Sequence, residues 1–122
     1  MTATVLLIED DTTMLGLLST LLEIEGFNAK TLVVENDAER ILQEVHGLVP
    51  DVILMDVHLH RLNGMDLLRQ IRQDKAVAHS KVLMSSGMDF KDECLKAGAN
   101  GFLMKPYMPD DLINYIKKIL AE

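Results

Sequence analysis

The sequence predicts an α/β fold: a parallel sheet covered by helices on both faces, in three layers. Short apolar runs of strand length alternate with longer stretches of helical spacing, through five strand–helix repeats in 122 residues. The apolar runs are continuous rather than alternating, as expected of strands buried on both faces. Polar residues cluster directly after these runs, where open parallel sheets bind their ligands.

The elements follow in order. Val5-Leu6-Leu7-Ile8 is the first strand. Met14, Leu17, Leu18, Leu21 and Leu22 share one helical face, and Gly26 supplies a stop. Asn28 to Val34 is a weaker second strand. Asn36 and Glu39 form a capping-box-like start to a helix that turns Ala38, Ile41, Leu42 and Val45 inward and ends at Gly47 and Pro50. Val52 to Met55 is the third strand, and Leu67, Leu68 and Ile71 mark the third helix. Val82-Leu83-Met84 is the fourth strand, followed by a short helix from about Phe90 to Ala97 with Gly98 at its C-cap. Gly101 to Met104 is the fifth strand. Pro109 opens a last helix whose core face carries Leu112, Ile113, Ile116, Ile119 and Leu120. Asp110 and Asp111 in its first turn and Lys117 and Lys118 in its last suit the helix dipole.

Bulk properties narrow the function classes. The length fits one domain, residues 1–122, and 48% hydrophobic residues mark it as globular. A net charge of −7 with no basic stripe argues against direct nucleic-acid binding. Cys94 is the single cysteine, so there is no internal disulfide. No apolar run approaches the ~20 residues that cross a bilayer, and the N-terminus lacks a signal-peptide pattern. The expectation is a cytoplasmic domain acting without a membrane.

The strand ends carry the chemistry. The first strand ends in Glu9-Asp10-Asp11, the third in Asp56, the fourth in Ser85-Ser86 and the fifth in Lys105-Pro106. Carboxylates gathered at one edge repel unless a cation intervenes, and a hard divalent ion such as magnesium suits such oxygens. With Asp10 and Asp11 around the ion, Asp56 can offer a free oxygen to an incoming phosphoryl group. Lys105 adds a point charge, and the Ser86 hydroxyl can donate to a phosphoryl oxygen. Taken alone, Asp10 and Asp11 read more simply as a helix N-cap and a solvated acid, and Ser86 and Lys105 as a turn residue and a surface lysine. The combination is what points to chemistry.

These blocks resemble the four signatures of response-regulator receiver domains: Val5 to Asp11, Val52 to Asp56, Val82 to Gly87 and Gly98 to Pro106. The resemblance spans the chain. It implies a flavodoxin-like, doubly wound sheet in the order 2-1-3-4-5 with five helices. It implies a phosphorelay function: a phosphohistidine on a sensor histidine kinase or a histidine phosphotransfer domain donates to Asp56, switching a protein-binding face. Asp10, Asp11, Asp56 and the backbone carbonyl of His58 would hold Mg2+ or Mn2+. Ser86 and Lys105 would contact the phosphoryl group, Ser86 and Phe102 would act as switch residues, and His58 and Met88 would tune its lifetime. The Lys105–Pro106 bond would be cis. Such a domain is a signalling module rather than an enzyme, apart from its own phosphorylation and dephosphorylation, and is expected as a monomer or weak dimer.

Two departures stand out. His60 occupies a position the family usually fills with proline, and the Gly87 to Gly98 segment is about one helical turn short, which shortens the fourth helix. Competing readings are a non-phosphorylated interaction module of the same fold, or a phosphatase using Asp56 as a turnover nucleophile. The phosphatase needs a second acid two residues on, where His58 stands. A flavin site lacks a phosphate loop after the first strand. His46, His60 and His79 read as surface residues, and Cys94 as a packing thiol.

Overall fold

In the computed structural model, residues 2–33 and 37–122 are described. Among these described residues, seven strands and five helices follow in chain order: β1 (Thr4–Glu9), α1 (Thr12–Ile24), β2 (Asn28–Val33), α2 (Ala38–Leu48), β3 (Val52–Asp56), β4 (His58–Leu59), β5 (Leu62–Asn63), α3 (Gly64–Gln73), β6 (Lys81–Ser86), α4 (Lys91–Lys96), β7 (Gly101–Met104) and α5 (Pro109–Ala121). Five strands make one parallel sheet in the order β2-β1-β3-β6-β7. Setting aside the two-residue hairpin β4–β5, this is the expected 2-1-3-4-5 order.

Alternation along each strand divides the core between two layers. Leu6, Ile8, Ile53, Met55, Val82 and Met84 pack with α2, α3 and Cys94 of α4. Val5, Leu7, Val52, Leu54 and Leu83 pack against Leu15, Leu18 and Leu22 of α1 and Leu112, Ile113, Ile116 and Ile119 of α5. Continuous apolar strands are therefore needed because both faces are covered.

Several expectations shift. The buried stripe of α1 is Leu15, Leu18 and Leu22, while Leu17 is half exposed. Asp11 caps the helix, which fixes its entry and rotates this stripe onto the sheet. Val34 and Asn36 lie outside the described residues; the α2 cap is Asp37, whose Oδ1 accepts from the Arg40 amide at 3.2 Å. Gly47 lies within α2, and the helix instead closes at Val49 in the left-handed region (φ 47°, ψ 62°). No helix among the described residues is long and apolar enough to cross a membrane.

The short α4 spans six residues. Its exit is braced by Arg72, whose guanidinium donates to Gly98 O (2.8 Å), Ala78 O (2.9 Å), Ser80 O (2.7 Å) and Asn100 Oδ1 (2.8 Å). Asn100 Oδ1 also accepts from the Val82 amide at 2.8 Å. One cation thus joins the end of α3 to the loops around β6 and β7.

Candidate functional site

Parallel strands of matched register bring their C-terminal ends together, so Glu9, Asp56, Ser86 and Lys105 arrive at one edge. The Lys105 amide bonds Ser86 O at 2.8 Å, and the Val57 amide bonds Ser85 O at 2.9 Å, locking the ends of β3, β6 and β7. The Lys105–Pro106 peptide is cis, as the resemblance implies.

Lys105 organises the centre. Its Nζ donates to Asp56 Oδ2 at 2.6 Å and to Glu9 Oε2 at 2.8 Å. Both acids are buried, at 7% and 6% exposure. Burial opposes the Lys105 charge, but its bonds to Asp56 and Glu9 outweigh that and hold its pKa above the ordinary lysine value. Glu9 Oε1 accepts from the Asp10 and Asp11 amides at 3.1 and 3.3 Å. Even so, burial pushes the Glu9 carboxyl up to about 7 against the pull of Lys105, and Asp10 and Asp56 add to the rise. At Asp10, burial is overcome by hydrogen bonds from the Glu9 side chain and the His60 amide, and the carboxyl lies below its ordinary value.

Glu9, Asp10 and Asp56 each offer a carboxylate oxygen within 4.8 Å of the others. Three hard acids face one ammonium, and Asp10 and Asp56 add to the rise of the Glu9 pKa that burial begins. This donor chemistry fits a divalent oxygen-seeking cation.

The small β4–β5 hairpin closes the site from above β3. His60 takes a left-handed conformation at its turn (φ 52°), and its amide donates to Asp10 Oδ2 at 3.1 Å. Its Nδ1 lies 3.7 Å from the same oxygen. A proline, with φ fixed near −65° and no N–H, fits neither feature. Asn63 caps α3 through the Met65 amide at 2.8 Å. Gly64 packs so tightly on the Asp56 carbonyl that a Cβ there would collide with it.

A family model described as the response regulator receiver domain matches residues 5–117. The chain belongs to this family. A transcriptional regulatory protein of Haemophilus influenzae, a CpxR homolog, is 39% identical over 118 residues, covering 94% of this chain and 49% of the relative. The chain spans about half the length of the curated relatives it matches. A putative response regulator from Chloroflexus aurantiacus superposes with a TM-score of 0.87 at 30% identity, over 100% of both chains. The receiver domain of a Pseudomonas aeruginosa sensor histidine kinase, with a magnesium ion coordinated in its active site cleft, matches in fold at a TM-score of 0.84 and 22% identity, again over 100% of both.

Within this receiver fold, the acid pair differs from the sequence expectation by one residue. Asp11 is exposed, and its Oδ1 accepts from the Thr13 and Met14 amides at 3.0 and 3.1 Å, so its carboxylate serves as the cap of α1. Glu9, at the end of β1, joins Asp10 and Asp56 in its place. The reason is geometric: β1 delivers Glu9 to the sheet edge, and helix entry at Thr12 turns Asp11 away. A run of three acids before a helix carries this signal, since the last one is the natural N-cap.

Ser86 is buried, and its Oγ accepts from the Met88 amide at 3.1 Å. Phe102 is half-buried on the α2–α4 side of the sheet. Met88 is exposed, and His58 is exposed with its ring against Phe90. Sequence reasoning singled out neither this ring contact nor Tyr107. The Tyr107 hydroxyl is the one buried side-chain polar atom among the described residues that lacks a partner.

Proposed function

We propose that the chain, read as one receiver domain over residues 1–122, is a phosphoacceptor that takes a phosphoryl group on Asp56. The observation carrying this is the Lys105 ammonium bonded to both Asp56 and Glu9, with Asp10 at ligand spacing from both acids. A free Asp56 oxygen attacks the phosphorus of a phosphohistidine on a sensor kinase or phosphotransfer domain. The P–N bond breaks, and the imidazole nitrogen leaves with the electron pair and takes up a proton. Lys105 holds Asp56 in place and offers its charge to the phosphoryl oxygens as they arrive.

Glu9, Asp10 and Asp56, with the His58 backbone carbonyl, would hold Mg2+ or Mn2+, which when bound supplies charge neutralisation for the phosphoryl group. The magnesium in the cleft of the Pseudomonas aeruginosa receiver domain supports this reading. Ser86, by giving up its contact with Met88, and Phe102, by moving inward, would relay occupancy to the partner-binding face. The relatives include DNA-binding response regulators about twice this chain's length; the output read for this chain is a protein contact with a downstream target.

Incubation with a small phosphodonor and magnesium is expected to add the mass of one phosphoryl group, and Asp56→Asn to abolish the gain. An unmodified wild-type mass, or unchanged labelling of the Asn variant, overturns the reading.

A further inference from the structure

The β4–β5 hairpin reaches the acid cluster through a backbone group. Its strands pair His58 with Asn63 and Leu59 with Leu62, so His60 and Arg61 form a two-residue turn. The base of that turn is fixed: Leu59 is fully buried, the Gly64 amide donates to Val57 O at 2.7 Å, and Asn63 caps α3. From this footing the His60 amide donates to Asp10 Oδ2 at 3.1 Å, joining residues 50 apart in sequence. The imidazole of the same residue is half exposed, and its Nδ1 stands 3.7 Å from that oxygen, beyond hydrogen-bond reach. The main chain, not the ring, makes the bond to Asp10. His60 lies in the left-handed region at φ 52°, the conformation that a primed two-residue turn requires at its first central residue and that glycine enters most readily. A β-carbon there is strained, so the surroundings must hold the turn in place. The buried base holds it on one side and the Asp10 carboxylate on the other.

We propose that His60 is a positioning residue acting through its backbone amide, which holds the Asp10 carboxylate beside Glu9 and Asp56 and so prepares the acid cluster for a divalent cation. The inference rests on the cation reading of these three acids. Lys105 holds two of them, Glu9 and Asp56, by direct bonds from its ammonium. Asp10 is the most exposed of the three. Once Glu9 and Asp10 are both ionised they repel each other, and a carboxylate near the surface has room to swing away. The His60 amide opposes that movement. A carboxylate already held in place gives up less freedom when a cation arrives, which is the advantage of a ligand supported from behind.

The test separates the amide from the ring by measuring magnesium binding directly, through calorimetry and the rise of the melting temperature with magnesium concentration. His60→Gly keeps the N–H, favours the turn and discards the imidazole; its magnesium dissociation constant should stay near the wild-type value. His60→Pro removes both the N–H and the positive φ, and should weaken binding about 10-fold or more, as loss of a supporting hydrogen bond to a metal-binding carboxylate typically does. Replacing His60 by its α-hydroxy acid analogue exchanges only the N–H for an ester oxygen and keeps the ring. It should weaken binding by at least as much. Wild-type affinity in this ester-linked protein overturns the proposal, even where His60→Pro fails to fold. Affinity lost as fully in His60→Gly as in the ester-linked protein also overturns it, because the amide is then not what matters. A wild-type protein whose melt and calorimetry are unmoved by magnesium refutes the cation reading itself, and the inference falls with it.

Discussion

Replacing Glu9 by glutamine tests the electrostatics of the site without disturbing its shape. Burial raises the Glu9 pKa from 4.5 to about 7, and at 1.36 kcal/mol per unit the shift corresponds to roughly 3 kcal/mol against the ionised form. Between these two values the folded state holds more protons than the unfolded state. Stability of the metal-free protein therefore falls as pH rises from 4.5 to 7 and stays lowered above that. Glutamine is neutral at every pH and can still accept from Lys105. In EDTA at pH 8, Glu9→Gln is expected to be more stable than wild type by up to about 3 kcal/mol, with the difference vanishing near pH 4.5. Magnesium narrows the difference, because wild type gains more from it. At ten times its dissociation constant a ligand adds about 1.4 kcal/mol, and a variant binding tenfold more weakly gains only about 0.4. Urea unfolding with and without magnesium at both pH values measures all four quantities. A Gln variant less stable than wild type in EDTA at pH 8, with an equal magnesium gain, refutes the reasoning.

Three further substitutions probe backbone and packing. Gly64→Ala forces a Cβ onto the Asp56 backbone carbonyl and should cost about 3 kcal/mol in urea unfolding; a cost below 1 kcal/mol means the hairpin yields freely. Val49→Gly relieves a β-branched residue at φ 47° on an exposed cap, and should stabilise by roughly 0.5–1 kcal/mol by thermal or urea melt. Tyr107→Phe removes the unpartnered buried hydroxyl and should stabilise the metal-free protein by about 1 kcal/mol, where a loss of stability would reveal a partner for that oxygen.

The sheet was legible because its strands obey one simple constraint, burial on both faces, which leaves continuous runs such as Val52-Ile53-Leu54-Met55. Helix positions followed from spacing, but their rotation did not. The α1 stripe could be drawn through Leu17 or through Leu15, since the helix is leucine-rich all round, and only the Asp11 cap decides between them. The α2 terminus was missed for a different reason: Gly47 is the better local stop, yet the helix runs one residue past it and closes on a strained Val49. The β4–β5 hairpin has no sequence signal of its own, because its turn uses His60 in a conformation that glycine or asparagine would advertise.

The one-residue displacement of the acid pair has a physical lesson for the site. Glu9-Asp10-Asp11 offers three carboxylates to two roles, capping a helix and joining the acid cluster at the sheet edge. A helix N-terminus leaves amides that need an acceptor, and the residue placed to supply it is fixed by where the helix starts rather than by which acid is the better ligand. Asp11, with a side chain one methylene shorter than Glu9, reaches the Thr13 and Met14 amides directly. The longer Glu9 side chain extends from the tip of β1 to Lys105, 96 residues away in sequence. Capping therefore removes one acid from the cluster and leaves Glu9, Asp10 and Asp56 facing a single ammonium. The excess of carboxylates that remains is what the divalent cation proposed for this edge would offset.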